Sequence, residues 1–285
     1  MRGTKITADP LQSSIPTWFY YLLLALLALP FLLPLAWTVS TAFKPTEQIY
    51  SDLMTWLPRP PTFDNFREAW QLLDFPRFIA NSLLITVLSM VGTLFSSSLV
   101  GYAFATLDGR GKQLLFGLLL STIMVPTAVT LVPLFLLFSQ LGWVNTFLPL
   151  VVPHFFANAF YVFLFRQFYR SLPLSLFECA EMDGCNPFQA YLHIALPLSR
   201  PALATVAVFS FIGSWNDFLG PLIYLNTTSK FTLSLGLSLF QGLYYTQFQY
   251  LMPMTLVALL PVLLLFLFAQ RYLIDGIVTT DFESG

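Results

Sequence analysis

Charge is what this chain has least of. Only 9% of its 285 residues are Asp, Glu, Lys or Arg, against roughly a quarter in ordinary soluble domains, so a soluble single-domain enzyme is excluded. The 13 basic and 14 acidic residues leave a net charge of −1. There is thus no basic surface for nucleic acid and no acidic, solvating tail. Cys179 and Cys185 are the only cysteines, too few for a disulfide framework. The shortage of charge is also uneven. None occurs in 10–43, 78–107, 113–165 or 231–270, and Asp217 stands alone between Arg200 and Lys230. What fills these gaps is apolar: 56% of the chain is hydrophobic and 30 residues are Phe. That combination belongs to an integral membrane protein.

A transmembrane helix needs about 20 mostly apolar residues. Residues 113–165 hold room for two spans around the turn signal Gln140 to Thr146. Residues 231–249 are too polar to span, with Thr232, Ser234, Ser238, Gln241, Thr246, Gln247 and Gln249. The pattern predicts six spans, at 17–43, 78–106, 113–138, 147–169, 202–226 and 250–274. Backbone groups in lipid must be bonded internally, so these are helices, and the fold class is all-α and polytopic. Arg2 and Lys5 precede the first span like the basic region of a signal peptide, and Ser40-Thr41-Ala42 is a weak cleavage site. The apolar run is too long for a signal peptide, and the span is expected to stay.

Six spans place both termini, 1–16 and 275–285, on one side. With that side cytoplasmic, Arg2, Lys5, Arg110, Lys112, Arg166, Arg170, Arg200 and Arg271 lie inside and Lys44, Arg59, Arg67, Arg77 and Lys230 outside. The excess follows the positive-inside rule. In the outer loop 44–77, Leu57-Pro58-Arg59-Pro60-Pro61 stops any helix. Thr62 to Asp64 then offer caps, and Phe63, Phe66, Trp70 and Leu73 predict a short amphipathic helix.

One segment says more than "membrane". In 170–201, Leu174, Phe177 and Ala180 recur at helical spacing after Pro173, and Gly184 suits a left-handed position that ends a helix. Asn186, Pro187 and Gln189 then form a capping box with proline in the first turn. Pro197 and Pro201 end or kink that second helix. A short helix held rigidly on the inner face can transmit force from a soluble partner.

This segment resembles the EAA motif of ABC importer permeases, whose pattern is Glu-Ala-Ala, three residues, Gly, nine residues, Ile, one residue, Leu-Pro. Glu178-Cys179-Ala180, Gly184, Ile194 and Leu196-Pro197 stand at those spacings, with Cys179 as the departure. Asn81-Ser82-Leu83-Leu84, Gly101 to Ala105, Phe165-Arg166-Gln167-Phe168, Gly213 to Phe218 and Gln270-Arg271-Tyr272 are similar to the carbohydrate branch, and within it to the short, six-span subunit of the maltose-type pair. The resemblance implies a type I importer transmembrane domain over 78–274, in a bacterial inner membrane. It implies a second permease subunit, two ATPase subunits that bind the ATP and Mg, and an extracytoplasmic sugar-binding protein. Glu178, Cys179, Ala180, Asp183, Gly184, Ile194, Leu196 and Pro197 would form the coupling loop that docks on an ATPase. The loop before the last span would reach into the binding protein's cleft through Gln241, Tyr244, Tyr245 and Phe248; alternatively, those rings lie in the interfacial belt.

Other readings stand beside these. Glu178, Glu181 and Asp183 lack the accompanying ligands of a metal or catalytic site, so no cofactor is expected on this chain and no catalysis. Gly109-Arg110-Gly111-Lys112 lacks Walker spacing. Asp217, with Trp215 and Asn216, either lines a substrate pathway or bonds to a neighbouring helix end. His154 is expected to be structural, with no second titratable group near it in sequence. A self-contained secondary carrier would want a chain of such groups and no ATPase-docking helix. An importer for glycerol phosphate would want a cation deep in a span, and none is present.

Overall fold

The computed structural model describes residues 16–51, 55–242 and 245–278. Helices α1 (Thr17–Ala42), α2 (Thr46–Ser51), α3 (Asp64–Leu72) and α4 (Phe75–Thr106) lead to α5 (Lys112–Ser121), α6 (Thr127–Gln140), α7 (Leu148–Val151) and α8 (Ala159–Arg170). Then come α9 (Leu174–Met182), α10 (Pro187–Ala190), α11 (Leu196–Leu198), α12 (Arg200–Trp215), α13 (Leu219–Tyr224), α14 (Leu233–Ser238) and α15 (Phe248–Val278). The protein is all-α; one isolated bridge, Gln241 to Thr246, is the only β pairing among the described residues. Most of the tails 1–16 and 275–285, with Arg2 and Lys5, lies outside the described residues.

Four stretches are long and apolar enough to cross a membrane, and two bent helix pairs bring the number to six. The fifth of these is Pro187–Trp215 rather than 202–226, and the predicted spans 113–138, 147–169 and 202–226 are not the continuous helices expected. The third bends by 98° between Met124 and Thr127. Pro126 has no N–H and holds Val125 extended, at φ −78° and ψ 116°, which stops the 3-10 turn Thr122–Met124 that continues α5. The fourth breaks between Phe155 and Ala159, where Ala157 has φ +57°. Asn158 restarts it by accepting from the N–H groups of Phe160 and Tyr161. The fifth stops at Trp215. Pro221 cannot donate to the Asp217 carbonyl, which accepts from the Ser234 hydroxyl instead (2.5 Å).

Broken backbone at membrane depth is tolerated only where protein satisfies it. Here α4 does so, with a buried row of Ser82, Thr86, Ser89, Thr93, Ser96 and Ser97. Ser89 donates to the Leu150 carbonyl (3.0 Å) and Ser96 to that of His154 (3.1 Å). The Ser96 and Ser97 hydroxyls accept from the N–H groups of Ala157 and Asn158. Small side chains also let α8 approach: a Cβ on Gly101 would lie 2.6 Å from Cβ of Phe165.

Outside the bundle, α3 forms where expected, with Thr62 accepting from the Asp64 N–H (3.1 Å). Its buried stripe is Asn65 and Ala69, while Phe63 stays exposed. Asn65 donates to the carbonyls of Ala42 and Lys44. It thereby caps the end of α1, while Phe66 and Leu73 pack half-buried against the core beside it.

Candidate functional site

At one end of the bundle, α9 ends in a two-bond turn. The Cys185 N–H donates to the Ala180 carbonyl (2.9 Å) and the Gly184 N–H to that of Glu181 (3.0 Å). This is the Schellman arrangement, and Gly184 supplies the left-handed residue, with φ +82°. Two residues later the capping box is complete: Asn186 accepts from the Gln189 N–H and Gln189 from the Asn186 N–H, both at 2.9 Å. The chain continues through a π-helical turn, Tyr191–Ala195, and bends by 79° into α12 beside Ser199.

Ala180, Tyr191 and Ala195 are buried, and Tyr191 and Ala195 anchor this segment on Tyr102, Phe165 and Tyr169. Ile194 and Leu196 are half-buried, Leu196 packing against the same cluster. Glu178, Cys179, Asp183, Gly184 and Pro197 are exposed. Beside them Leu174 and Met182 are 64% and 80% exposed, so α9 turns an apolar and acidic face outward. Among the described residues no three His, Cys, Asp or Glu converge as a metal site would require.

Nearer the other end is a cavity of about 220 Å³ between α4, α7, α12, α13 and α14. Of the three residues read as a pathway, only Asp217 lines it. Trp215 is buried and donates to the Ala258 carbonyl (3.0 Å), and Asn216 donates to that of Ile212. The Asp217 carboxylate accepts from the Gly220 N–H (3.1 Å) at the start of α13. It therefore both bonds a helix end and faces the cavity. Ser82, His154, Ser214 and Thr232 share the lining. His154 also meets the Thr93 hydroxyl through Nδ1 (3.2 Å), and the titratable group that shares its cavity, Asp217, is brought there by the fold and not by closeness in the chain.

The polar segment before α15 is more folded than a probing loop suggests. Asn81 donates to the carbonyls of Ser229 and Phe231, and Ser82 accepts from the Leu233 N–H (2.7 Å). Leu233, Leu235 and Phe240 are buried. Gly242 donates to the Tyr245 carbonyl (3.0 Å), and Gln241 pairs with Thr246. Gln241 is exposed and Tyr245 is 67% exposed. Phe248 opens α15 beside a small cleft with Trp37 and Lys44. Tyr244 lies outside the described residues.

Residues 97–275 match the family described as binding-protein-dependent transport system inner membrane component. The chain belongs to that family. It is 33% identical to the arabinooligosaccharides transport system permease protein AraQ of Halalkalibacterium halodurans, over 93% of this chain and 96% of the relative. It is 32% identical to the lactose transport system permease protein LacG of Rhizobium radiobacter, over 94% and 97%. The fold matches a solved chain from a bacterial ABC transporter involved in import of the acidic polysaccharide alginate, with TM-score 0.81, 23% identity, and coverage of 93% and 100%.

Within this inner-membrane component, sequence reasoning missed the hydroxyl row of α4 and the cavity partners of Asp217. The row had a signal. Positions 82, 86, 89, 93 and 96 alternate steps of four and three, which is one face of a helix, and all are Ser or Thr. The cavity had none, because its residues come from distant parts of the chain.

Proposed function

We propose that this chain is the short permease subunit of an ATP-driven sugar importer, moving a neutral mono- or oligosaccharide, or a glycoside, across a bacterial inner membrane. It pairs with a second permease subunit, two ATPase subunits and an extracytoplasmic sugar-binding protein. Hydrolysis of ATP takes place on the ATPase subunits. The observation that carries this reading is α9: a helix with exposed Leu174 and Met182 among Glu178 and Glu181, held on a capped, rigid elbow. An apolar stripe rimmed by acids suits an apolar groove with a basic edge on a soluble partner. Orientation follows, with α9 and both termini cytoplasmic and the 241–245 turn facing the binding protein.

The geometry suggests how force travels. A shift of the ATPase groove moves α9, and the Schellman turn and capping box resist bending at Gly184 and Asn186. The motion reaches α12, whose 16 residues span about 24 Å. Its far end carries Ser214 and Asp217 into the cavity wall. Hydroxyl, imidazole and carboxylate groups without a cation fit a neutral polyol better than a phosphate ester. The sugar names of the relatives support the same class.

Gly184→Val tests the coupling. A β-branched residue at φ +82° costs about 1–2 kcal/mol and mis-aims α9, although no atom lies within 4 Å of the added Cβ. The expected result is normal membrane insertion, loss of uptake and loss of ATPase on mild solubilisation. Wild-type uptake at wild-type protein level would sink the assignment.

A further inference from the structure

Among the described residues, two unpaired arginines and a weakly paired lysine gather beside the coupling end, not on it. An open recess of about 660 Å³ lies between the α4–α5 connection and α8. Lys112, Arg166 and Arg170 line it, against one carboxylate, Asp108. In a chain whose net charge is −1, this local excess is not general basicity. Asp108 reaches only Lys112, at 4.0 Å, and is fully exposed. Among the described residues, Arg166 and Arg170 form no ion pair.

The remainder of the lining is Gln113, Gly109 and Gly111 with an apolar side formed by Phe104, Ala105, Leu114 and Phe116. The Arg166 guanidinium lies 4.1 Å from the centre of the Phe116 ring, and its Nε donates to the Phe104 carbonyl. That fixes one cation by stacking and one hydrogen bond, leaving its outer N–H groups for a ligand. Lys112 donates to the Leu107 carbonyl (2.5 Å). Leu114 joins the wall, and Leu114, Leu115 and Leu118 are 56–68% exposed down α5. The charge-free runs 78–107 and 113–165 both end at this recess. The cations therefore stand where apolar span gives way to water.

The geometry points to a binding site for the phosphate of an anionic membrane phospholipid, with its acyl chains along α5. Planar guanidinium groups match phosphate oxygens, and the leucine surface below matches hydrocarbon. A soluble phosphate would have no use for that wall. The exposed residues of α9 do not line the recess, so ATPase docking does not account for it. Only the leaflet assignment rests on the orientation proposed above.

The test uses the assembled transporter in mild detergent and native mass spectrometry. Wild type is expected to retain phosphatidylglycerol in preference to phosphatidylcholine. Arg170→Gln, at an exposed and unpaired site, should weaken retention about fivefold. Lys112→Gln with Arg170→Gln should weaken it roughly twenty-five-fold, at about 1 kcal/mol per cation. Arg166 is left intact because it also packs on Phe116. Equal retention of the two lipids, or unchanged retention in the double variant, overturns the site. Displacement of the lipid by inorganic phosphate alone shows a free-phosphate site and overturns it too. So does loss of the ATPase subunits from the variants with lipid retention unchanged, since the recess would then be a protein contact.

Discussion

α1 and α4 are both long apolar helices, of 26 and 32 residues, and a hydropathy plot would not separate them. In the structure they have opposite lives. The most apolar stretch of α1 has none of its residues buried, whereas α4 has 44% of its own buried and packs on α8 and α12. The difference lies in composition. Residues 22–35 of α1 are Leu, Ala, Phe and Pro, without a hydroxyl, and α4 carries Ser or Thr on one face throughout. Lipid rewards hydrocarbon equally wherever it is placed, so apolar side chains cannot tell a helix which neighbour to choose. Small and polar side chains can, because they allow close approach and satisfy broken backbone. The α4 row therefore specifies the fold, and α1 is adjustable.

The largest effect expected from this contrast is at Gly101. A branched side chain there would start 2.6 Å from the Phe165 Cβ and 3.1 Å from the Arg166 nitrogen and the Val162 carbonyl. Two of those atoms are backbone and cannot swing aside. Gly101→Ile should cost about 3 kcal/mol, at the upper end of overpacking penalties. It should appear as a large drop in the midpoint of SDS-induced unfolding in mixed micelles. A change within error would mean that α4 and α8 slide freely, and the contrast would lose its main support.

A smaller loss is expected at Ser96, whose one hydroxyl proton is shared between the Gly92 and His154 carbonyls and whose oxygen accepts from the Ala157 N–H. Ser96→Ala keeps the volume but leaves Ala157 and His154 without these partners. Leaving such groups orphaned is worth about 1–2 kcal/mol, while membrane hydrogen bonds measured singly fall below that. The same unfolding midpoint reads it. Hydrogen exchange at Ala157 should rise as well, which a purely volumetric effect would not produce.

How far these features could be read in advance follows from distance along the chain. The α9–α10 elbow was legible because Gly184, Asn186, Pro187 and Gln189 act on backbone within a few residues of themselves. The six apolar stretches were legible from charge gaps alone. The breaks in the third, fourth and fifth spans were not foreseen, although Pro126, Pro153 and Pro221 stand at or beside them. A proline in an apolar run can kink, break or do little, and the outcome depends on who bonds the released groups. For the fourth and fifth spans those partners are Ser96, Ser97 and Ser234, remote from or opposite the break. The cavity was illegible for the same reason. His154 and Asp217 line one cavity only because α4 packs against both of the segments that carry them.

The smallest effect is expected on α1. Phe31 is 83% exposed, on a helix whose outer face is Leu and Phe. Truncating a side chain that moves between two hydrocarbon surroundings removes no burial from water, and an exposed site away from caps and cores changes stability by about 0.5 kcal/mol or less. Phe31→Ala should therefore leave the unfolding midpoint of the isolated subunit unchanged. Measuring the same variant in the assembled transporter sharpens the comparison. Wild-type stability there would mean that α1 faces lipid in the complex as well. A loss above about 1 kcal/mol only in the assembly would show α1 packed against another subunit, with exposed phenylalanines such as Phe31 as its contact surface. In that case α1 would be specified too, by a partner chain instead of by α4, and its lack of hydroxyls would mark a shape-matched seam, not an adjustable span.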